Sequence, residues 1–266
     1  MDYLLYLGLG GIAGLMSGLF GIGGGNIIVP ILILSFSAQG ISGELSTHLA
    51  IATSLACIAV TSVGSIYTHY QKRVLDWHLL KLFVPSVIIG SFMGTFLFVA
   101  IEGTLLQLLL GGFLVLSGVQ MIKKEITYPA DIVVSQRFLT LSGVCIGGVS
   151  SMFGVGGGMF TAPLLSNLGV RIHSAIATGA VGGFFVAVSA SIVYGSAVVN
   201  GSSLPASTVG YIFMPAWIGI IVTSMPFARV GALLAHRIDA TWLKKIFGWF
   251  LFFVGFRFVW INTIGY

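Results

Sequence analysis

The sequence predicts an all-α integral membrane protein made of two inverted-topology repeats of about five hydrophobic segments. Each repeat carries a Gly-rich broken helix or re-entrant hairpin near the membrane midplane. Three observations predict this. The 266 residues are 57% hydrophobic and 7% charged, against about 25% charged in an ordinary soluble domain. Uncharged runs extend from Tyr3 to Gly43, Leu45 to Gln71, Leu82 to Ile101, Phe138 to Val170 and Ile172 to Ala228, and several exceed the ~20 apolar residues that cross a bilayer as a helix. Finally, Phe20-Gly21-Ile22-Gly23-Gly24-Gly25-Asn26, closed by Pro30, recurs 133 residues later as Phe153-Gly154-Val155-Gly156-Gly157-Gly158-Met159, closed by Pro163.

The apolar segments of the first half fall at roughly 3–20, 26–37, 45–70, 79–101 and 104–122, and those of the second at 138–152, 159–168, 172–195, 208–236 and 241–262. Alternating strand-like hydropathy is absent, so helices rather than a barrel are expected. Lys123 to Gln136, with Lys124, Glu125, Pro129 and Asp131, is the stretch with linker character. The expected layout is a first repeat over 1–122, a cytoplasmic linker over 123–137 and a second, inverted repeat over 138–266. The duplication runs on beyond the glycines. His48-Leu49-Ala50-Ile51-Ala52-Thr53-Ser54 parallels His173-Ser174-Ala175-Ile176-Ala177-Thr178-Gly179, Val84-Pro85 parallels Met214-Pro215, and Gly111 with Phe113 parallels Gly248 with Phe250.

An odd number of segments per half turns the second half upside down relative to the first. Charge supports this reading. With the 71–78 loop cytoplasmic, Lys72, Arg73, Lys81, Lys123, Lys124, Arg137, Arg171, Arg237, Lys244 and Lys245 all fall on the cytoplasmic side, ten of the twelve basic residues. The loops then placed outside, 39–44, 101–104 and 199–207, hold no Lys or Arg. Both termini come out external, in a multi-pass protein of the bacterial cytoplasmic (inner) membrane. Met1-Asp2-Tyr3 puts an acid where a secretory leader has a basic region, so the N-terminus is expected in the mature protein.

The formal charge of +5 is scattered between apolar runs, which argues against a nucleic-acid partner. Cys57 and Cys145 lie in apolar segments without metal-ligand spacing and are expected to be packing residues. No paired carboxylates, nucleophile constellation or metal-spaced cluster is present, so no enzyme activity, metal or cofactor is expected.

The short segments 26–37 and 159–168 reach only ~15–18 Å as helices, about half the hydrocarbon thickness. The Gly-rich breaks that precede them are therefore expected near mid-membrane, buried in protein or lining a watery cavity. A helix N-terminus there offers unpaired N–H donors and a partial positive charge, and glycine lets a ligand approach them. Two such ends converging would cradle a small oxyanion. Close helix packing is the competing use of these glycines. The candidate substrate-binding residues are Gly23, Gly24, Gly25, Asn26, Thr53, Ser54, Gly156, Gly157, Gly158, Met159, Thr178 and Arg257. Asn26 faces Met159 across the duplication, which offers an amide donor on one side only, or a helix cap. Thr53, Ser54 and Thr178 can supply hydroxyls or bond back to their own helix, the commoner fate. Arg257 and Arg229 lie ~18 Å and ~12 Å along their helices from the nearest basic loop, deep enough to be functional or to snorkel. His48, His173 and Arg229 are candidates for a gate or proton path, while His69, His78 and His236 read as loop-edge residues.

The doubled FG-(I/V)-GGG-x-x-x-x-P motif, the A-I-A-T stretches and the two inverted halves resemble the sulfite exporter TauE/SafE family over nearly the whole chain. The resemblance implies a carrier of small sulfur-containing anions, such as sulfite, sulfoacetate and related organosulfonates, working outward across the cytoplasmic membrane. It highlights Gly21, Gly23, Gly24, Gly25 and Pro30, then Gly154, Gly156, Gly157, Gly158 and Pro163, with Thr53 and Thr178. The expected partners are a small organic or inorganic anion and the lipid bilayer, with a coupling proton or sodium ion and a homodimer left open. A passive anion channel, or a membrane assembly subunit that uses the glycines for packing, is the alternative.

Overall fold

The structure, a computed structural model, describes residues 2–20, 25–122, 135–197, 204–205, 207–235 and 240–264. Among these the first half gives α1 (Asp2–Phe20), α2 (Gly25–Ala38), α3 (Gly43–Gln71), α4 (Trp77–Val99) and α5 (Gly103–Ile122). The second gives α6 (Gln136–Phe153), α7 (Gly158–Asn167), α8 (Ile172–Ser196), α9 (Met214–Ala235) and α10 (Ala240–Ile264). Most of the 123–137 linker, together with Gly21, Gly23, Gly24 and His236, lies outside the described residues. Four stretches, Leu45–Gln71, Trp77–Val99, Gly103–Gln120 and His173–Ser196, are long and apolar enough to cross a bilayer. The chain is an all-α membrane protein, as its composition predicts.

One expected segment begins differently. The 208–236 run opens with a two-stranded hairpin, β1 (Thr208–Val209) paired antiparallel to β2 (Ile212–Phe213), before α9 starts. Gly210 takes a left-handed φ of 55° in its turn, and Pro215 then fits the first turn of α9, where no N–H partner is needed. By contrast, α4 starts earlier because Asp76 caps it, its carboxylate accepting from the N–H groups of His78 and Leu79 at 3.0 and 3.1 Å.

The packing pairs exchange when the first five helices are swapped for the second five. α1 lies on α9 and α6 on α4, α2 lies on α3 and α7 on α8, and α3 meets α8 as α5 meets α10. Gly111 approaches Gly255 while Gly118 approaches Gly248, so α5 and α10 run in opposite directions. α3 and α8 also run oppositely: His69 near the end of α3 interacts electrostatically with His173 at the start of α8, while Tyr211 bridges the rings of His48 and Tyr194 at the other end.

These crossings are close because they are built on small residues. A Cβ at Gly10 would stand 2.6 Å from the Ile220 carbonyl oxygen, and one at Gly118 would stand 2.6 Å from that of Gly248. Gly10 and Gly14 on α1 have their equivalents in Gly143 and Gly147 on α6, at the same offset as the Gly-rich motif. Cys145 is exposed on α6 rather than packed, because Gly143, Gly147 and Ser150 form that helix's buried face; Cys57 is buried as expected. The core centres on α2 and the first half of α3, where Val29, Leu32, Ile33, Phe36, Leu49, Ile51 and Leu55 are fully buried.

Candidate functional site

The second Gly-rich segment interrupts the chain between α6 and α7. α6 stops at Gly154, whose φ of 68° and ψ of 28° are left-handed and whose N–H closes onto the Ser150 carbonyl. Any side chain there would be strained by its backbone and would also press on Val29, since a Cβ would lie 2.7 Å from Val29 Cγ2. Val155 N–H also donates to the Ser150 carbonyl, at 3.0 Å. α7 then begins with tight bonds from Phe160 and Thr161 N–H to the Gly157 carbonyl, at 3.2 and 3.0 Å. The N–H groups of Gly156, Gly157 and Gly158 have no acceptor among the described residues. Gly154 to Gly157 are buried although they belong to no regular element. Non-helical backbone of this kind survives at membrane depth only inside protein.

The first half closes on this break. A Cβ at Gly25 would stand 2.7 Å from the Gly154 carbonyl oxygen and 3.0 Å from Val155 Cα, so the first turn of α2 lies directly against the second break. Asn26 Nδ2 donates to Met159 Sδ at 2.7 Å, joining the first turns of α2 and α7 at the two equivalent positions. Ser54 Oγ donates to the Gly154 carbonyl at 2.9 Å. Its equivalent is Gly179, where even a Cβ would come within 2.9 Å of Gly158 Cα. Thus the Ser54/Gly179 difference is steric: α8 approaches α7 too closely to admit a hydroxymethyl group. Gly183 likewise keeps Gly157 N–H clear, since its Cβ would lie 3.3 Å from that nitrogen.

Asn26, Gly25, Ser54, Gly156, Gly157, Gly158 and Met159 therefore stand together. The two threonines part ways. Thr53 Oγ1 accepts from Phe213 N–H at 3.0 Å and so ties α3 to the start of α9, while Thr178 Oγ1 is fully buried and unpartnered. The equivalent of Phe213 is Phe83, which lies inside α4 with its N–H committed to the helix, so Thr178 finds no donor there. None of the three hydroxyls of Thr53, Ser54 and Thr178 bonds back to its own helix.

His48 is buried, with Nε2 3.1 Å from the Ile101 carbonyl oxygen and its ring 5.2 Å from that of Tyr211. His173, Arg229 and Arg257 are exposed. Arg257 lies on the face of α10 opposite Gly255 and Phe258, which are buried where α10 packs on α5, its main neighbour among the described residues. Ser150 stands beside this cluster, and the sequence reading passed it over. It is fully buried, its hydroxyl is unpartnered, and that oxygen lies 3.7 Å from where a Gly157 Cβ would be. Its equivalent, Ser17, sits at the motif's own offset, and that repetition was the available signal.

Interrupted helices meeting inside a multi-pass helical bundle are transporter architecture. The chain belongs to the sulfite exporter TauE/SafE family, whose model matches residues 6–258. It is similar to a "probable membrane transporter protein" of Haemophilus influenzae, 29% identical over 255 residues that make up 94% of this chain and 96% of the relative. A protein of the same description from Methanocaldococcus jannaschii is 28% identical over 255 residues, 91% of each chain. Another from Xylella fastidiosa is 26% identical over 264 residues, 97% of this chain and 95% of that one. No solved structure matches the chain significantly.

Proposed function

We propose that this membrane transporter is a secondary carrier that moves a small sulfur-containing anion, sulfite, sulfoacetate or a related organosulfonate, outward across the cytoplasmic membrane by alternating access. The observation that carries the reading is the meeting of the first turns of α2 and α7, with three unbonded N–H groups at Gly156–Gly158. The unpartnered hydroxyls of Ser150 and Thr178 belong to the residues packed around that turn. Preorganised neutral donors of this kind hold an oxyanion without a full counter-charge. The inside-negative potential favours anion exit by ~2.3 kcal/mol per charge per 100 mV, so outward movement needs little coupling.

The two halves are read as inverted repeats. The opposite directions of α5 and α10, and of α3 and α8, support this, as does the cytoplasmic bias of the basic residues. Flux of labelled sulfite and organosulfonates in proteoliposomes tests the function. A carrier gives saturable flux stimulated by anion on the opposite side, and Gly157→Leu, which would drive a side chain into Ile146, Val186 and Ser150, abolishes it. Flux that stays linear with concentration and lacks counterflow would replace the carrier with a channel. Wild-type flux in Gly157→Leu would remove the site.

A further inference from the structure

The orientation of the Asn26 amide specifies something about the ligand beyond its charge. A thioether sulfur has no proton and can only accept, so the 2.7 Å contact with Met159 Sδ fixes which end of the amide faces it: Nδ2 points at the sulfur and Oδ1 points away. Asn26 is 4% exposed, and Oδ1 has no hydrogen-bond partner. A buried acceptor in this condition calls for a donor. No neighbouring group at the first turn of α7 meets that demand: the Gly156–Gly158 N–H groups are unbonded, and the Ser150 and Thr178 hydroxyls are unpartnered as well. The meeting of the first turns of α2 and α7 therefore combines several unused donors with one unused acceptor. A fully deprotonated oxyanion offers lone pairs alone and would leave Oδ1 facing a like partial charge.

We propose that the ligand held here is an anion carrying one hydrogen-bond donor of its own, its oxyanion group taken by the α7 turn and its donor by Asn26 Oδ1. This rests on the anion-transport reading above and narrows it from small anions in general to donor-bearing ones: hydrogensulfite and hydroxylated sulfonates fit, whereas the sulfite dianion and sulfoacetate do not. Discrimination follows from the same physics that lets a site built to bond a hydroxyl reject the analogue without it.

Ethanesulfonate and 2-hydroxyethanesulfonate differ by one hydroxyl and suit the test. Each competes against labelled sulfite flux in proteoliposomes containing the full chain, and binding to purified protein is measured in parallel. The hydroxylated anion is expected to compete about tenfold or more better. In Asn26→Ala the preference should fall to within about twofold, as expected when a single bond is removed. Met159→Leu, a volume-conserving change that keeps the core filled, frees the amide to turn over and should weaken the same preference even if Asn26→Ala folds poorly. Equal competition by the two anions in the wild type overturns this inference while leaving transport standing. Competition by neither overturns this inference, and the absence of saturable labelled-sulfite flux overturns the transport reading on which it rests. A preference that survives in both folded variants assigns the hydroxyl to another partner and removes Asn26 from the role.

Discussion

The two ends of the α3/α8 pair are built from equivalent sequence and packed very differently. Where α3 begins and α8 finishes, Ser46 to Ile58 are buried without interruption, and Val186, Ala187, Ala190 and Tyr194 are fully enclosed. Phe213 stands edge-on to Tyr6 and Phe36 at 6.0 and 5.4 Å, and Tyr211 sits between His48 and Tyr194 at 5.2 and 6.1 Å. At the opposite end Val63, Tyr67 and Tyr70 of α3 are more than half exposed, and Arg171 and His173 at the start of α8 are exposed as well. The substitutions between the repeats explain much of this. Ser189 Oγ bonds Ser91 Oγ at 2.9 Å and pins α4 to α8, whereas the equivalent positions hold Gly64 and Ile221. A Cβ at Gly64 would meet nothing. The hydroxyls of Thr61, Ser62 and Thr68 turn back onto their own helix instead of reaching a neighbour. Duplicated sequence therefore specifies equivalent helices without specifying equivalent closure, and the proposed alternating access would use such a difference.

The comparison can be broken most sharply by tethering the packed end. With Cys145 replaced by Ala, cysteines at Phe36 and Phe213 joined by a short bifunctional thiol reagent should abolish flux, and a cleavable reagent should restore it on reduction. Persistent flux in the tethered protein would mean that the packed end never opens. Next in size is reactivity: in the same background Gly64→Cys should label readily with a hydrophilic maleimide and Leu49→Cys should resist it. An unreactive Gly64→Cys would show that lipid rather than water covers the open end. Smaller effects follow on stability. His48→Ala loses its contact with the Ile101 carbonyl and its tilted ring contact with Tyr211, a cost of about 1–2 kcal/mol in thermal unfolding, while His173→Ala should stay within about 0.5 kcal/mol. Ser91→Ala should cost about 1 kcal/mol and Thr61→Ala less than about half that. Equal costs at the two ends in these pairs would erase the distinction.

Length, hydropathy and the 133-residue offset made the helices and the second Gly-rich break legible, because bilayer thickness and backbone satisfaction leave few alternatives. The hairpin at 208–213 was not legible: its strands are two residues each, and a left-handed Gly210 leaves little periodicity to read. The difference between Asn26 and Met159 was legible as an asymmetry between repeats, but their hydrogen bond depends on how far the helices interpenetrate, which sequence does not state. The arginines mark the other boundary. Arg257 and Arg229 were placed by depth along a helix, and depth says nothing about which face a residue occupies. Ser150 stayed hidden because one serine beside many glycines looks like packing until the open N–H groups beside it are seen.

The bond chosen to join the first turns of α2 and α7 also bears on speed. A thioether is a soft, weak acceptor, so separating Asn26 from Met159 sacrifices little, whereas an ionic or amide pair at the same spot would hold harder. Each 1.4 kcal/mol added to an opening barrier slows crossing about tenfold. Under the alternating access proposed above, a fragile clasp at the junction of the halves would keep turnover fast, at the expense of letting the empty protein drift between states.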